Sequence, residues 1–226
     1  MTTHSPTRPG WPEIIAGLTG LVVVGFGGSI LVMRLPIDPA TVGLMMTAMS
    51  GIGGMAGFLA AYWLRRLDLA AFGIRATTRR WTLIGVVGGI LGFLAKGAAI
   101  LAYIAITDDQ SSPQDIYAEG GSGGALNLVL ATFFLAVVTP LGEEFLFRGV
   151  VTTALLRYGA VVGVVGGALI FAGFHGINPI FPAAFVSGLI AGEIFRRSGS
   201  IWPAVLVHAV INLPTVPVLV MARMAD

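Results

Sequence analysis

The chain has 226 residues, of which 56% are hydrophobic and only 11% are charged, and its mean hydropathy is +0.90. An ordinary soluble domain carries about a quarter charged residues, so this chain has too few polar groups to cover a globular surface. A soluble monomer and a disordered chain are therefore excluded. The absence of cysteine excludes disulfides, thiolate metal sites and a cysteine nucleophile. The net charge of +2 is too small, and its bases too dispersed, for nucleic acid to be a partner.

Long apolar segments predict an all-α protein, a polytopic membrane helix bundle of about seven transmembrane helices. A spanning helix needs about 20 mostly apolar residues. The predicted spans are about Ile14–Met33, Ala40–Leu64, Trp81–Ile106, Ala125–Leu156, Ala160–Ile177, Phe181–Phe195 and Ile201–Val220. The fourth stretch contains Pro140, and a break there would give an eighth span. No long polar linker is present, so residues 1–226 are predicted to form a single membrane domain with a short N-terminal tail, residues 1–12.

The charges of the loops predict the orientation of the bundle. The segment between the second and third spans carries five arginines against one acid, and basic loops stay in the cytoplasm. The loop after the third span has four acids and no base, so alternation places it outside and the N-terminus in the cytoplasm. Gly-, Ala- and Val-rich helices with short loops indicate a bacterial plasma membrane. Glycine runs such as 51–57 can serve packing within the bundle or between copies, which leaves the oligomeric state open.

Charged or strongly polar side chains at membrane depth are costly, by about 2.5 kcal/mol or more per charge at a helix centre. Each such side chain therefore needs a structural or chemical reason. The residues in this class, most of which follow Pro140, are Lys96, Glu143, Glu144, Arg148, His175, Glu193, His208 and Asn212. Glu193 lies three and four residues before Arg196 and Arg197, which favours an ion pair at the inner interface.

The adjacent acids Glu143 and Glu144 point about 100° apart on a helix. Glu144 and Arg148 are four residues apart on one face, which suits an ion pair and leaves Glu143 without a cation on its own helix. A carboxylate in a low-dielectric site can act as a base near neutral pH. The alternative is that both acids and the arginine form an inert buried network that holds helices together.

Two histidines share this part of the chain with the acids. Phe171 and His175 lie on one helix face, and so do His208 and Asn212. At about 1.5 Å per residue from the predicted inner ends, His208 lies about 13 Å deep, and Glu143 and His175 about 20–25 Å deep. We therefore expect these side chains to meet in one pocket on the interior half of the bundle, as a site that activates water requires.

Three motifs occur in order: Glu143-Glu144-x-x-x-Arg148, Phe171-x-x-x-His175 and His208-x-x-x-Asn212. Together with the flanking run 197–204 they resemble the signatures of the CPBP intramembrane protease family, which includes CAAX prenyl endopeptidases and bacteriocin-processing or immunity proteins. The resemblance covers about residues 125–215, and we found no signature in the first three spans.

The resemblance implies an endopeptidase that cuts a membrane-associated peptide or protein within the lipid bilayer. It implies that Glu143 is the base that activates a water and that His175 shares this activation and shuttles the proton. His208 and Asn212 would donate hydrogen bonds to the tetrahedral oxyanion, a role that suits their common helix face. Glu144 and Arg148 would support Glu143, and Phe171 would serve packing.

Members of this family have often been called metalloproteases. A zinc site here would have to be assembled from Glu143, His175 and His208 on separate helices, since the sequence has no H-E-x-x-H motif. A metal-free glutamate mechanism needs fewer assumptions, so we expect that no cofactor is required, with zinc as the alternative.

Two other functions compete with proteolysis. The protein could be a non-catalytic scaffold or an immunity-type protein of the same fold, because a buried hydrogen-bonded network would leave the same residues. It could also be a proton-coupled transporter, since intramembrane acids, histidines and Lys96 can relay protons. No inverted repeat or pair of broken helices supports transport.

Overall fold

The computed structural model describes residues 8–225, and this part of the chain contains helices and no β-strand. The helices are α1 (Trp11–Val32), α2 (Pro39–Arg65), α3 (Arg79–Thr107), α4 (Asp115–Ser122), α5 (Ala125–Tyr158), α6 (Val162–Gly173), α7 (Ile180–Ser198) and α8 (Ile201–Ala225). Helix α2 begins after Asp38, whose carboxylate accepts a hydrogen bond from the Thr41 N–H. Helix α7 ends at Gly199, which adopts the left-handed conformation with φ of 63°.

The predicted polytopic helix bundle is confirmed. Helices α1, α2, α3, α5 and α8 are long and apolar enough to cross a membrane. The two remaining predicted spans correspond to α6, which is shorter, and to α7, whose last turns carry charged residues. The total of seven spans stays a prediction. The predicted N-terminal tail, residues 1–12, stays a prediction: α1 begins at Trp11, and residues 1–7 lie outside the described residues.

Helix α5 is the centre of the bundle and continues through Pro140. Its 34 residues make it about 50 Å long, well beyond the roughly 30 Å hydrocarbon core. A π-helical segment, Phe134–Val138, precedes the proline, and a second one, Phe145–Thr152, follows it. The first segment contains Ala136, whose carbonyl would clash with the Pro140 ring in a regular α-helix. The widened turn accommodates the proline, so α5 supplies no eighth span.

Glycines bring α2 and α5 into backbone contact at the level of the two acids. Gly51 and Gly54 of α2 face residues 138–143 of α5, and Gly142 lies directly against the Gly51 carbonyl. A Cβ atom on Gly54 would lie 2.6 Å from the Gly142 carbonyl. The glycine run therefore serves packing within the bundle. The contact places Glu143 beside the middle of α2, near the midplane of the predicted span.

The other helices close around this pair. Helix α1 packs on α2, while α3, α7 and α8 pack on one another, and α6 packs on α7. Helix α3 is peripheral, and its large apolar side chains point outward, as lipid-facing residues do. Helix α4 lies across the N-terminal end of α2, where Gly120 approaches Gly43. The loop between α3 and α5 is thus folded against the bundle.

Gly54→Ala is expected to destabilise the protein by about 1–3 kcal/mol, because its added methyl group would push α2 and α5 apart. Thermal unfolding in detergent should show a lower Tm. Gly97→Ala is the matched control, since a Cβ atom there has nothing within 4 Å and alanine favours a helix. Its Tm should stay equal or rise. A Gly54→Ala protein as stable as Gly97→Ala would contradict the close helix contact.

Candidate active site

The carboxylate of Glu144 is shared by two partners in the buried centre of the bundle. Its Oε1 atom lies 3.0 Å from Arg148 Nη1 and 2.9 Å from His208 Nδ1. All three side chains are buried. The predicted i,i+4 ion pair between Glu144 and Arg148 is confirmed. Glu144 and Arg148 are expected to support Glu143. In the structure Glu144 contacts His208 instead, because the side chains of adjacent residues on a helix point in different directions.

The imidazole of His208 lies between the two acids. Its Nδ1 atom faces Glu144, and its Nε2 atom is 3.7 Å from Glu143 Oε2. An ionised carboxylate only accepts hydrogen bonds, so Nδ1 carries a proton and donates it to Glu144. Nε2 of the neutral ring then accepts a proton, and Nε2 of the imidazolium donates one. His208 can therefore donate from Nε2 to an oxyanion only as an imidazolium.

Glu143 differs from its neighbour in having no arginine or lysine partner among residues 8–225. Its Oε2 atom is buried and has no hydrogen-bond partner in the same part of the chain, and the same holds for Oε2 of Glu144. Such atoms are uncommon in proteins and call for a structural or functional explanation. The predicted contrast between a paired Glu144 and an uncompensated Glu143 is thus present in the structure.

His175 follows the end of α6, where the chain turns through Gly176 with φ of 78°. Its Nδ1 atom lies 3.0 Å from the carbonyl of Phe171, to which it donates a hydrogen bond. This bond leaves Nε2 as the ring nitrogen that can accept a proton. The amide of Asn178 donates to the His175 carbonyl at 2.7 Å and holds the turn.

Phe171 packs against both histidines and the arginine. Its ring centroid lies 4.8 Å from that of His175 and 5.7 Å from that of His208. The guanidinium carbon of Arg148 lies 4.7 Å from the same centroid, over the ring face. These contacts agree with the packing role expected for Phe171.

The four predicted catalytic residues line one cavity of ≈ 230 Å³. Glu143, His175, His208 and Asn212 come from α5, the end of α6, and α8. Asn212 also donates one of its two amide protons to the Leu135 carbonyl at 3.1 Å, which leaves the second available. The rest of the wall is mainly apolar and includes Leu21, Phe26, Met46, Met49, Phe147 and Phe174. The predicted convergence of the site residues on one volume is therefore observed.

The cavity also contains residues that the sequence analysis missed. Pro113, Gln114 and Tyr117 line it from the segment around α4, which carries only one aromatic residue, Tyr117. Burial and the charge of Glu143 raise the pKa of Tyr117 to about 12, so its hydroxyl stays neutral. The apolar pair Ile116–Tyr117 in an otherwise polar loop is the signal that could have predicted a buried segment here.

The position of the cavity differs from the expected one. The sequence predicts a pocket on the interior half of the bundle. The cavity extends instead from mid-bundle toward loop 108–124, which the charge pattern assigns to the outside. The difference arises because α4 folds back over this end of the bundle. Residues of α1 and α2 also line the cavity, so the site extends beyond the motif-bearing segment.

Of the remaining intramembrane polar residues, Glu193 forms the expected ion pairs with Arg196 at 2.7 Å and with Arg197 at 2.5 Å. Lys96 lines a second, smaller cavity beside the histidines.

Within residues 8–225, no group of three or more His, Asp and Glu side chains is arranged to hold a metal ion. The three donors of the zinc alternative, Glu143, His175 and His208, all line the larger cavity. The metal-free mechanism stays a prediction.

Arg148→Met should destabilise the protein by about 3–5 kcal/mol, because it leaves the buried Glu144 carboxylate without its cation. Arg196→Met removes the same kind of side chain from a partly exposed pair and should cost about 1 kcal/mol or less. Thermal unfolding of both variants in the same detergent makes the comparison. Equal losses in the two variants would mean that the Glu144–Arg148 pair is not the buried element described above.

Residues 125–214 match the family described as Type II CAAX prenyl endopeptidase Rce1-like. The match spans the three motifs and confirms the resemblance to the CPBP family, while residues 1–124 lie outside it. No curated protein and no solved structure matches the chain.

Proposed function

We propose, from the Rce1-like CAAX prenyl endopeptidase family to which residues 125–214 belong, that this protein is an intramembrane endopeptidase. The family supports a protease that acts on a membrane-associated peptide. The mechanism rests on one observation: Glu143, with a buried unpartnered oxygen, lines the same cavity as His175, His208 and Asn212. These groups supply a base, a proton shuttle and hydrogen-bond donors around one small volume.

Hydrolysis of a peptide bond needs a water that loses a proton while it attacks the carbonyl carbon. Glu143 takes this proton, and the free Nε2 of His175 shares the activation of the water. Negative charge develops on the carbonyl oxygen, and the second N–H of Asn212 and Nε2 of the His208 imidazolium donate to it. The proton held by the acid and imidazole pair then passes to the leaving amine, and the peptide bond breaks.

The alternatives are less well supported by the same contacts. An inert buried network has no need of a cavity, whereas Glu143 lines a cavity of ≈ 230 Å³ together with His175, His208 and Asn212. A proton relay through Lys96 would be helped by a nearby acid. The partner of Lys96 is instead the hydroxyl of Thr215, at 3.1 Å. Proteolysis uses the observed arrangement more completely than either alternative.

The substrate class follows from the family and from the walls of the cavity. The family name refers to CAAX prenyl proteins, and we propose a membrane-anchored peptide as the substrate, prenylated or not. The methionine and phenylalanine side chains of the cavity suit apolar residues beside the cleaved bond. We place the protein in a bacterial plasma membrane, as its Gly-, Ala- and Val-rich helices with short loops indicate, and its N-terminus in the cytoplasm, as the loop charges predict.

Glu143→Ala should reduce peptide cleavage by at least about 100-fold, because it removes the proposed base. Purified protein in liposomes is assayed on membrane-anchored peptides, and Tm verifies that the variant is folded. Glu193→Ala is the control, because it removes a carboxylate that pairs with surface arginines, and it should keep its activity. Turnover close to wild type by Glu143→Ala would remove this residue from the mechanism.

Chelators such as EDTA and 1,10-phenanthroline should leave cleavage unchanged, because the proposed base activates water without a metal. The assay compares untreated, chelated and zinc-supplemented protein. Activity that is lost on chelation and regained with zinc would favour the zinc alternative through Glu143, His175 and His208.

A further inference from the structure

Lys96 is the only lysine among the 13 basic residues of the sequence, and it lies within the membrane-crossing helix α3. An ammonium group at this depth is costly unless a partner compensates its charge. Its hydrogen-bond partner is the hydroxyl of Thr215, and no ion pair joins Lys96 to an acid of residues 8–225. The Glu144 carboxylate is already engaged by Arg148 and His208. The charge of Lys96 is therefore uncompensated.

Lys96 lines a small cavity beside the proposed catalytic residues. This cavity of ≈ 30 Å³ shares Gln114, His175, His208 and Asn212 with the larger one. Its polar lining consists of the ammonium, two side-chain amides, two imidazoles and the hydroxyl of Ser187, and no carboxylate lines it. The ammonium of Lys96 and the amide of Gln114 can donate hydrogen bonds into this space, whereas the Ser187 hydroxyl donates to the Ala183 carbonyl. With the positive charge of the ammonium, this lining suits an anion.

The anion that every free-acid peptide carries is its C-terminal carboxylate. Each of its two oxygens can accept hydrogen bonds, so an ammonium beside an amide donor suits it.

We propose that the Lys96 cavity binds the C-terminal carboxylate of the peptide substrate. This proposal rests on the proposed function, because it places the chain terminus beside Glu143 and His208. The cleaved bond then lies close to the C-terminus, and the released fragment is short. A carboxylate at this place compensates the charge of Lys96, which the protein alone leaves unpaired.

The first experiment measures binding to the Glu143→Gln protein, which should not consume its ligand. The probe is a fluorescent farnesylated peptide ending in a CAAX sequence, prepared as the free acid, as the C-terminal amide, and as an acid lengthened by about ten residues. A charge-assisted hydrogen bond should make the acid bind about 10- to 100-fold more tightly than the amide. The lengthened acid should bind like the amide, because its carboxylate lies far from the cavity.

Lys96→Met in the same background should reduce the preference for acid over amide to about one. Arg223→Met is the matched control: it also removes one positive charge, from an exposed pair with Glu119, and should keep the preference. Lys96→Arg, which retains the positive charge, should keep part of the preference for the acid over the amide. Equal binding of acid and amide, no binding of either, or the same loss in both methionine variants would overturn the proposal.

A second readout separates this proposal from proteolysis itself. Wild-type protein is incubated with the acid and the amide, and the products are identified by mass spectrometry. Cleavage of both peptides at equal rates would overturn the carboxylate site and leave the peptidase standing. No cleavage of either, with the acid preference intact in binding, would overturn the peptidase and leave the carboxylate site standing.

Discussion

The buried carboxylate of Glu144 is the interaction on which the candidate site depends. It compensates Arg148 on its own helix and accepts a hydrogen bond from His208 on α8. Isolated charges of either sign would be strongly unfavourable at this depth, so the three groups stabilise one another. The bond to His208 joins α5 to α8 and determines which ring nitrogen faces Glu143. The Glu144 carboxylate thus compensates a buried charge and positions the imidazole of the candidate site.

Two adjacent acids acquire different properties from this arrangement. Glu144 contacts the arginine and the imidazole, whereas Glu143 lines the cavity and has no arginine or lysine partner among residues 8–225. Paired carboxylates in unlike surroundings commonly divide their roles, with one ionised and structural and the other reactive. The backbone contact of Gly142 with α2 keeps the helix from moving away from the cavity. The division of roles therefore follows from helix geometry and from glycine packing together.

The sequence predicts the local part of this site and misses the part that depends on tertiary structure. The i,i+4 spacing of Glu144 and Arg148 is local information, and their ion pair was predicted correctly. The bond from His208 to Glu144 joins residues 64 positions apart, so no spacing rule could supply it. The charges around Tyr117 predict a polar outer loop, because the few apolar residues there do not make an amphipathic pattern. Its burial depends on the contact between Gly43 and Gly120, which only the folded bundle shows.

The charges around the two cavities differ, and this difference would orient a bound peptide. Glu143 and its unpartnered oxygen line the larger, mainly apolar cavity, whereas Lys96 and the amide donors line the smaller one. Gln114, His175, His208 and Asn212 lie on the wall that the two cavities share. A peptide that places apolar side chains in the larger space and an anionic end in the smaller one would cross this wall in one orientation only. In the proposed mechanism the uncompensated acid and the uncompensated lysine, each costly by itself in a membrane, would act together: the acid would activate the water, and the lysine would align the bond that the water attacks.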